Sequence, residues 1–216
     1  KSGLPNAQIS RFDTNLNESS VQSALAEILR SDVVFDAINL SKSSDIKLSN
    51  LSKLVGFEVS HENLLKDKDI IKEKFFNSPY KEAQEIKDII SSLEKLASQG
   101  VKIYVSAGNK GHDYLNLYTL ADNINVVGAA NKYGVAKTQF SCDNQLVNRW
   151  SKGVYAVKKL TDKDGNKGFD INEDGKIDIL AKDTTAKIKL PAQKIYGTSF
   201  AAPTALVMDL RRIIED

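Results

Sequence analysis

Apolar positions recur along the chain at two different spacings, and each spacing predicts its own kind of element. Val21, Ala24, Leu25, Ile28 and Leu29 follow the i, i+3, i+4, i+7, i+8 pattern of an amphipathic helix, with Ser19 or Ser20 as the expected cap. The run from Val33 to Leu40, interrupted only by Asp36 and Asn39, reads as a buried strand that ends in the polar Ser41-Lys42-Ser43-Ser44. Gln8 to Phe12 reads as a strand in front of the helix. Residues 45 to 78 are lysine-rich with weak periodicity, which predicts a surface insertion. Ser78-Pro79 then introduces a helix whose apolar stripe is Ala83, Ile86, Ile90, Leu93 and Ala97, stopped by Gly100. Val101 to Val105 is a strand leading into Ser106-Ala107-Gly108-Asn109-Lys110-Gly111, and Ile124 to Ala130 is another. A polar, acidic loop covers 162 to 183, and Thr204 to Glu215 reads as a closing helix. Strands alternating with helices predict one α/β domain over residues 1–216, a doubly wound, mainly parallel sheet flanked by helices. In such sheets sites form at the C-terminal ends of strands, where Asn109 falls.

Composition narrows the function classes. The 216 residues are 27% charged and 41% hydrophobic, ordinary for one folded domain. Thirty Lys and Arg against 28 Asp and Glu leave a net charge of +2, too small a field to hold nucleic acid or an anionic membrane surface. One cysteine and two histidines exclude an intrachain disulfide and a Cys- or His-rich zinc site, while oxygen ligands for a hard cation remain plentiful. No apolar run approaches the roughly 18 residues of a membrane span. The first residues, Lys1-Ser2-Gly3-Leu4-Pro5, lack a signal-type apolar region and a Met, so excision from a longer chain is expected.

The sharpest chemistry lies near the end. Gly197-Thr198-Ser199-Phe200-Ala201-Ala202-Pro203 places a serine where a helix opens, among residues small enough for close approach. Ser199 alone would read as a helix cap. The whole string resembles the nucleophile segment of subtilisin-like serine proteases, and it is not the Gly-x-Ser-x-Gly elbow, since Ala201 fills the last place. Val105-Ser106-Ala107-Gly108-Asn109-Lys110-Gly111 resembles the segment of that family whose Asn amide donates to the oxyanion; by itself Gly108-Asn109 would read as a turn. Pro5-Asn6-Ala7-Gln8-Ile9 is similar to the strand following the family's histidine helix. Asp36-Ala37-Ile38-Asn39-Leu40-Ser41 resembles its substrate-lining strand, and Thr138-Gln139-Phe140-Ser141 its short Phe-Ser strand. These segments run in the family's order from residue 5 to 206.

The resemblance implies Ser199 as nucleophile, Asn109 in the oxyanion hole, and Ser41, Ser106, Ala107 and Gly108 against a peptide or protein substrate. It also implies secretion or cell-surface display. The family's Asp and His precede its nucleophile, and both would come from an upstream segment of the parent chain, leaving an N-terminally incomplete domain that is inactive alone. Asp13-Thr14 is followed by Asn15 rather than Gly, and no His-Gly-Thr-His follows. His61 and His112 match neither position and are expected at the surface. His61-Glu62 fails the His-Glu-x-x-His pattern because Leu65 stands fifth. Ser41-Lys42-Ser43-Ser44 replaces the family's usual Ser-Leu-Gly-Gly, and Thr204 a common His, which implies altered or narrowed specificity. The alternative is a catalytically inactive binding or structural module on the same fold, a pseudoprotease.

A second chemistry is written in residues 162 to 178. Asp170, Asn172, Asp174, Gly175 and Asp178 match positions 1, 3, 5, 6 and 9 of a calcium loop, but position 12 is Ala181, so the bidentate Glu is missing. With Asp162, Asp164 and Asn166 just before them, the segment resembles the tandem Asp-rich loops of dockerin and thrombospondin type 3 repeats. Calcium is the expected cofactor, and a solvated hairpin with Asp-Gly turns is the alternative.

Overall fold

The structure, a computed structural model, describes residues 8–10, 12, 17–170, 174–177, 179–180 and 194–215. In chain order its elements begin with α1 (Glu18–Arg30), β1 (Ala37–Leu40), β2 (Asp45–Lys47), α2 (Leu48–Val55), α3 (Lys68–Phe76) and α4 (Ala83–Ser98). They continue with β3 (Lys102–Ser106), β4 (Tyr114–Asn116), a 3-10 turn (Leu117–Leu120), β5 (Asn125–Ala130), β6 (Arg149–Lys152), β7 (Val154–Ala156) and β8 (Lys158–Thr161). The last are β9 (Lys167–Asp170), β10 (Ile179–Leu180), β11 (Lys194–Tyr196) and α5 (Thr198–Glu215).

The predicted parallel sheet is present, with order β1-β3-β5-β6 and every pairing parallel. Successive strand residues face opposite sides. In β3, Ile103 and Val105 join a core with α1, α4 and the residues of α2 and α3, while Tyr104 turns to the other face. There, Tyr104, Val127 and Ala129 meet Ala201, Ala202 and Ala205 of α5, whose small side chains let the helix lie close to the sheet. Asp209 anchors α5 from its middle: the Tyr104 hydroxyl donates to it at 2.9 Å, and Arg149 pairs with the same oxygen. Burial, and then the neighbouring Asp209 carboxylate, push the Tyr104 phenol up to about 12.

Several sequence expectations need correction. The cap of α1 is Asn17, whose side chain accepts from Ser20 N–H at 2.8 Å, not Ser19 or Ser20. Gln8 to Ser10 are not in a strand. The strand expected from Val33 starts at Ala37, because β1 is an edge strand and its register on β3 begins with Ala37 opposite Lys102; Val34 is 90% exposed. Thr138 to Ser141 is a turn, closed by Ser141 N–H donating to Thr138 O, rather than a strand.

The segment 45–78 is not a surface insertion. Its β2 pairs antiparallel with β4, and Ile46, Leu48, Leu51, Val55, Val59, Leu64, Ile71 and Phe75 are all buried in the main core. Its helices are short, so the apolar stripe never repeats often enough to stand out. Lys68 and Lys72 of α3 both bind Asp122, and Lys72 also binds Glu94 of α4. Burial opposes charge on Asp122, but the hydrogen bonds from Lys68 and Lys72 outweigh it and hold the carboxyl down at about 2.

Candidate active site

β1 and β3 end side by side, and the loops leaving them meet the start of α5. Gly108 begins the turn after β3 with φ +104°, and a Cβ there would stand 2.6 Å from Asp45 Oδ1 and 3.0 Å from Cys142 Sγ. Only glycine fits both the conformation and the space. That turn sends Asn109 toward the N-terminus of α5 while its residue stays exposed.

The Asn109 Oδ1 accepts from Thr198 N–H at 2.8 Å and from the Thr198 hydroxyl at 3.0 Å. The same hydroxyl accepts from Gly108 N–H at 3.3 Å, so Thr198, fully buried, locks the two segments across 90 residues of sequence. With Oδ1 committed, the Asn109 amide must turn its Nδ2 the other way. It faces the Gly197 backbone: a Cβ on Gly197 would lie 3.0 Å from Ser199 Oγ and 3.7 Å from Asn109 Nδ2. The serine hydroxyl and the amide donor therefore flank one point, kept open by the missing side chain of Gly197. The sequence pattern drew attention to Ser199 and Asn109 and assigned Thr198 no role.

Ser41 and Pro203 form a second link. Pro203 lies inside α5 and has no N–H, so the Ser199 carbonyl lacks its usual helical donor four residues on. The Ser41 hydroxyl donates to that carbonyl at 3.0 Å, and Asn39 Nδ2 donates to Ser41 Oγ at 2.9 Å. Ser41 thus holds the serine segment from the end of β1. Ser106 and Ala107, expected against substrate, are both buried; the Ser106 hydroxyl donates to Lys42 O at 3.2 Å. The Ala107 side chain belongs to the main core. Asn116, which no sequence pattern singled out, is fully buried; its Nδ2 donates to Ser106 O at 2.7 Å and its Oδ1 accepts from Ser44 N–H at 3.0 Å. It ties the loop after β1 to the end of β3.

Among the described residues the Ser199 hydroxyl has no hydrogen-bonded base. Lys42, the nearest cation in sequence to Ser41, is engaged elsewhere, with Glu18 at 3.1 Å and the Tyr118 hydroxyl at 3.4 Å. Burial works against the Glu18 charge, but Lys42 prevails and keeps that carboxyl below its ordinary range. Thr204 donates to Phe200 O within α5 and shares a short hydrogen bond with Tyr155, so it is occupied too. Asp13 and Pro5 to Ala7 lie outside the described residues. The histidines, both expected at the surface, stand face to face, with ring centroids 3.7 Å apart; His112 is exposed and His61 is half-buried.

The acidic segment divides in two. Asp162 Oδ1 accepts from the N–H groups of Asp164 and Asn166, and its Oδ2 accepts from the Asn166 side chain at 3.0 Å. These bonds close the turn between β8 and β9 and hold the Asp162 carboxyl below its usual range, the Asn166 side chain foremost. Asp162, Asp164 and Asn166 are hairpin residues, and both Asp162 carboxylate oxygens accept from N–H donors. Asp170 differs. It is 1% exposed, its Oδ2 accepts from Gly175 N–H at 3.0 Å, and its Oδ1 is buried without a partner among the described residues. Asp174 Oδ1 accepts from Lys176 N–H at 2.9 Å. Asn172 and Asp178 lie outside the described residues. The orphaned Asp170 oxygen fits an oxygen-seeking cation in this second half.

No protein-family model and no curated protein matches this sequence. Solved structures similar to the chain include a cold-adapted subtilisin-like serine proteinase, at TM-score 0.48 and 14% identity over 93% of this chain and 49% of that one. The PatG macrocyclase in complex with peptide is similar at TM-score 0.48 and 13% identity, over 89% of this chain and 40% of that one. The prenylagaramide maturation protease PagA gives TM-score 0.48 and 13% identity, over 94% and 54%. The chain spans about half the length of these structures.

Proposed function

We propose that the chain is the C-terminal part of a subtilisin-like serine endopeptidase domain, with Ser199 as nucleophile and Asn109 as oxyanion donor. One observation carries this: Asn109 Nδ2 and Ser199 Oγ flank the same open point beside Gly197, with the amide orientation set by Thr198. Ser199 Oγ attacks the scissile carbonyl carbon, and its proton passes to a histidine of the upstream segment, oriented by an aspartate there. The resulting oxyanion accepts from Asn109 Nδ2–H and the Ser199 N–H at the start of α5, where the helix dipole adds favourable charge. Collapse expels the amine, which takes the proton from the histidine, and water then releases the acyl group from Ser199. The substrate is a peptide or protein, the Asp170 to Asp178 segment holds calcium, and the parent protein works outside the cell or on its surface.

The pseudoprotease reading stays open on one observation, that Ser199 has no hydrogen-bonded base among the described residues. A fluorophosphonate probe separates the two. Expected is labelling of Ser199 in the longer protein that includes the sequence preceding Lys1, and little labelling of the 216-residue chain. Failure to label the longer protein would leave the inactive module, and equal labelling of both would place the base within the chain.

A further inference from the structure

His61, His112 and Asp143 are remote in sequence, on the connection between α2 and α3, the loop after β3 and the loop before β6. The fold brings them together. One ligand-capable atom from each, a ring nitrogen of either histidine and a carboxylate oxygen, lies within 4.8 Å of the others. The imidazole rings are nearly parallel, at 11° with centroids 3.7 Å apart, and His112 Nδ1 stands 2.7 Å from Asp143 Oδ1. His61 Nε2 is buried with no hydrogen-bond partner among the described residues. Buried polar nitrogens are nearly always paired, so this one is set for a ligand.

We propose that His61, His112 and Asp143 form a binding site for a divalent transition-metal ion, zinc being the expected occupant. The site is independent of the proposed peptidase activity and of the acidic segment. Two imidazole nitrogens and one carboxylate oxygen are a donor set that suits zinc and its neighbours, whereas calcium and magnesium select all-oxygen sites. Ligand atoms about 2.0–2.2 Å from a tetrahedral ion stand roughly 3.3–3.5 Å apart. His112 and Asp143 therefore open slightly to admit the ion, and because the in-plane lone pairs of stacked rings run parallel, one imidazole must also rotate to turn its nitrogen onto the ion. The His112 side chain is 64% exposed, which gives the ion a path in and leaves the fourth position to water. Bound metal would clamp the loop that starts at Asn109 to the α2–α3 connection, which meet here through the stacked rings.

The chain has only two histidines, so their ring NMR signals are unambiguous. Zinc chloride is titrated into the protein in saturating calcium, following melting temperature and the histidine ring nitrogens. Expected is saturable one-to-one binding that raises the melting temperature and shifts both histidines. His112→Ala and Asp143→Asn should each weaken zinc affinity at least about tenfold, while melting in chelator stays near that of the parent. Cys142→Ala, which removes the adjacent thiol, should bind zinc unchanged. The proposal is overturned by no binding at millimolar zinc, by unchanged affinity in His112→Ala, or by a loss that follows Cys142→Ala instead.

Discussion

Replacing Asn109 in two ways separates what holds the site from what would act in it. Asn109→Ala removes the acceptor for both the Thr198 N–H and its hydroxyl, and Thr198 itself is fully buried. Leaving such donors unpaired costs about 1–3 kcal/mol. For a domain of this size each kcal/mol moves the melting temperature by about 2–4 °C, so a fall of roughly 2–12 °C is expected. Asn109→Asp keeps an acceptor of the same shape. Because position 109 is exposed and faces the start of α5, the new charge is solvated and meets the positive end of a helix dipole. Its melting temperature should match or slightly exceed the parent's at neutral pH. The amide donor is gone, however, and peptide hydrolysis by the longer protein should fall by about 10²–10³, a magnitude measured on subtilisin itself. Thermal melts and initial rates on a chromogenic peptide read the two effects separately. Equal destabilisation by Ala and Asp would refute the account of Thr198, and undiminished hydrolysis by Asn109→Asp would refute that of the oxyanion.

Ser41→Ala should destabilise by about 1–3 kcal/mol because Pro203 cannot supply the Ser199 carbonyl with a donor, and Ser41→Thr should restore most of it in the same melts. Acid titration followed by circular dichroism should show the Asp122 contribution. Its folded value of about 2 lies below the ordinary 3.8, so that stability is complete above about pH 4 and is lost as pH falls toward 2. Asp122→Asn should flatten this window. Millimolar calcium should raise the melting temperature of the parent and not of Asp170→Ala, and a parent unmoved by calcium would return the segment to an ordinary hairpin.

What could be read from residues alone was whatever repeats locally. The stripe of α4 is visible because one residue follows another at a fixed spacing: Ala83, Ile86, Ile90 and Leu93 are buried as the spacing selects, while Ile89 and Leu96 widen the buried face beyond it. The region from 45 to 78 escaped because its apolar residues belong to short helices that meet the core at scattered points. Val33 and Val34 misled because an apolar run shows a preference for burial without showing whether a partner strand reaches that far. The neighbourhood of Asn109 and Ser199 was legible as two strings of small residues, but Thr198, Asn116 and the exchange between Ser41 and Pro203 are relations between distant positions. No periodicity records them. The pairing of His61 with His112 is hidden for the same reason, and counting two histidines argued against a metal that their placement favours.

The docking of α5 onto four strands also has a kinetic meaning. The helix comes from the end of the sequence, yet it covers the sheet face formed by Tyr104, Val127 and Ala129, all drawn from earlier residues. During synthesis that face emerges before its cover, and the Thr198–Asn109 contact spans 89 residues, a loop whose closure entropy must be met before its bonds repay it. The α1 to α4 side can gather from contacts nearer in sequence. The serine segment is therefore fixed only once this long loop has closed, and a nascent or clipped chain without α5 presents a bare apolar sheet to chaperones and to other copies of itself.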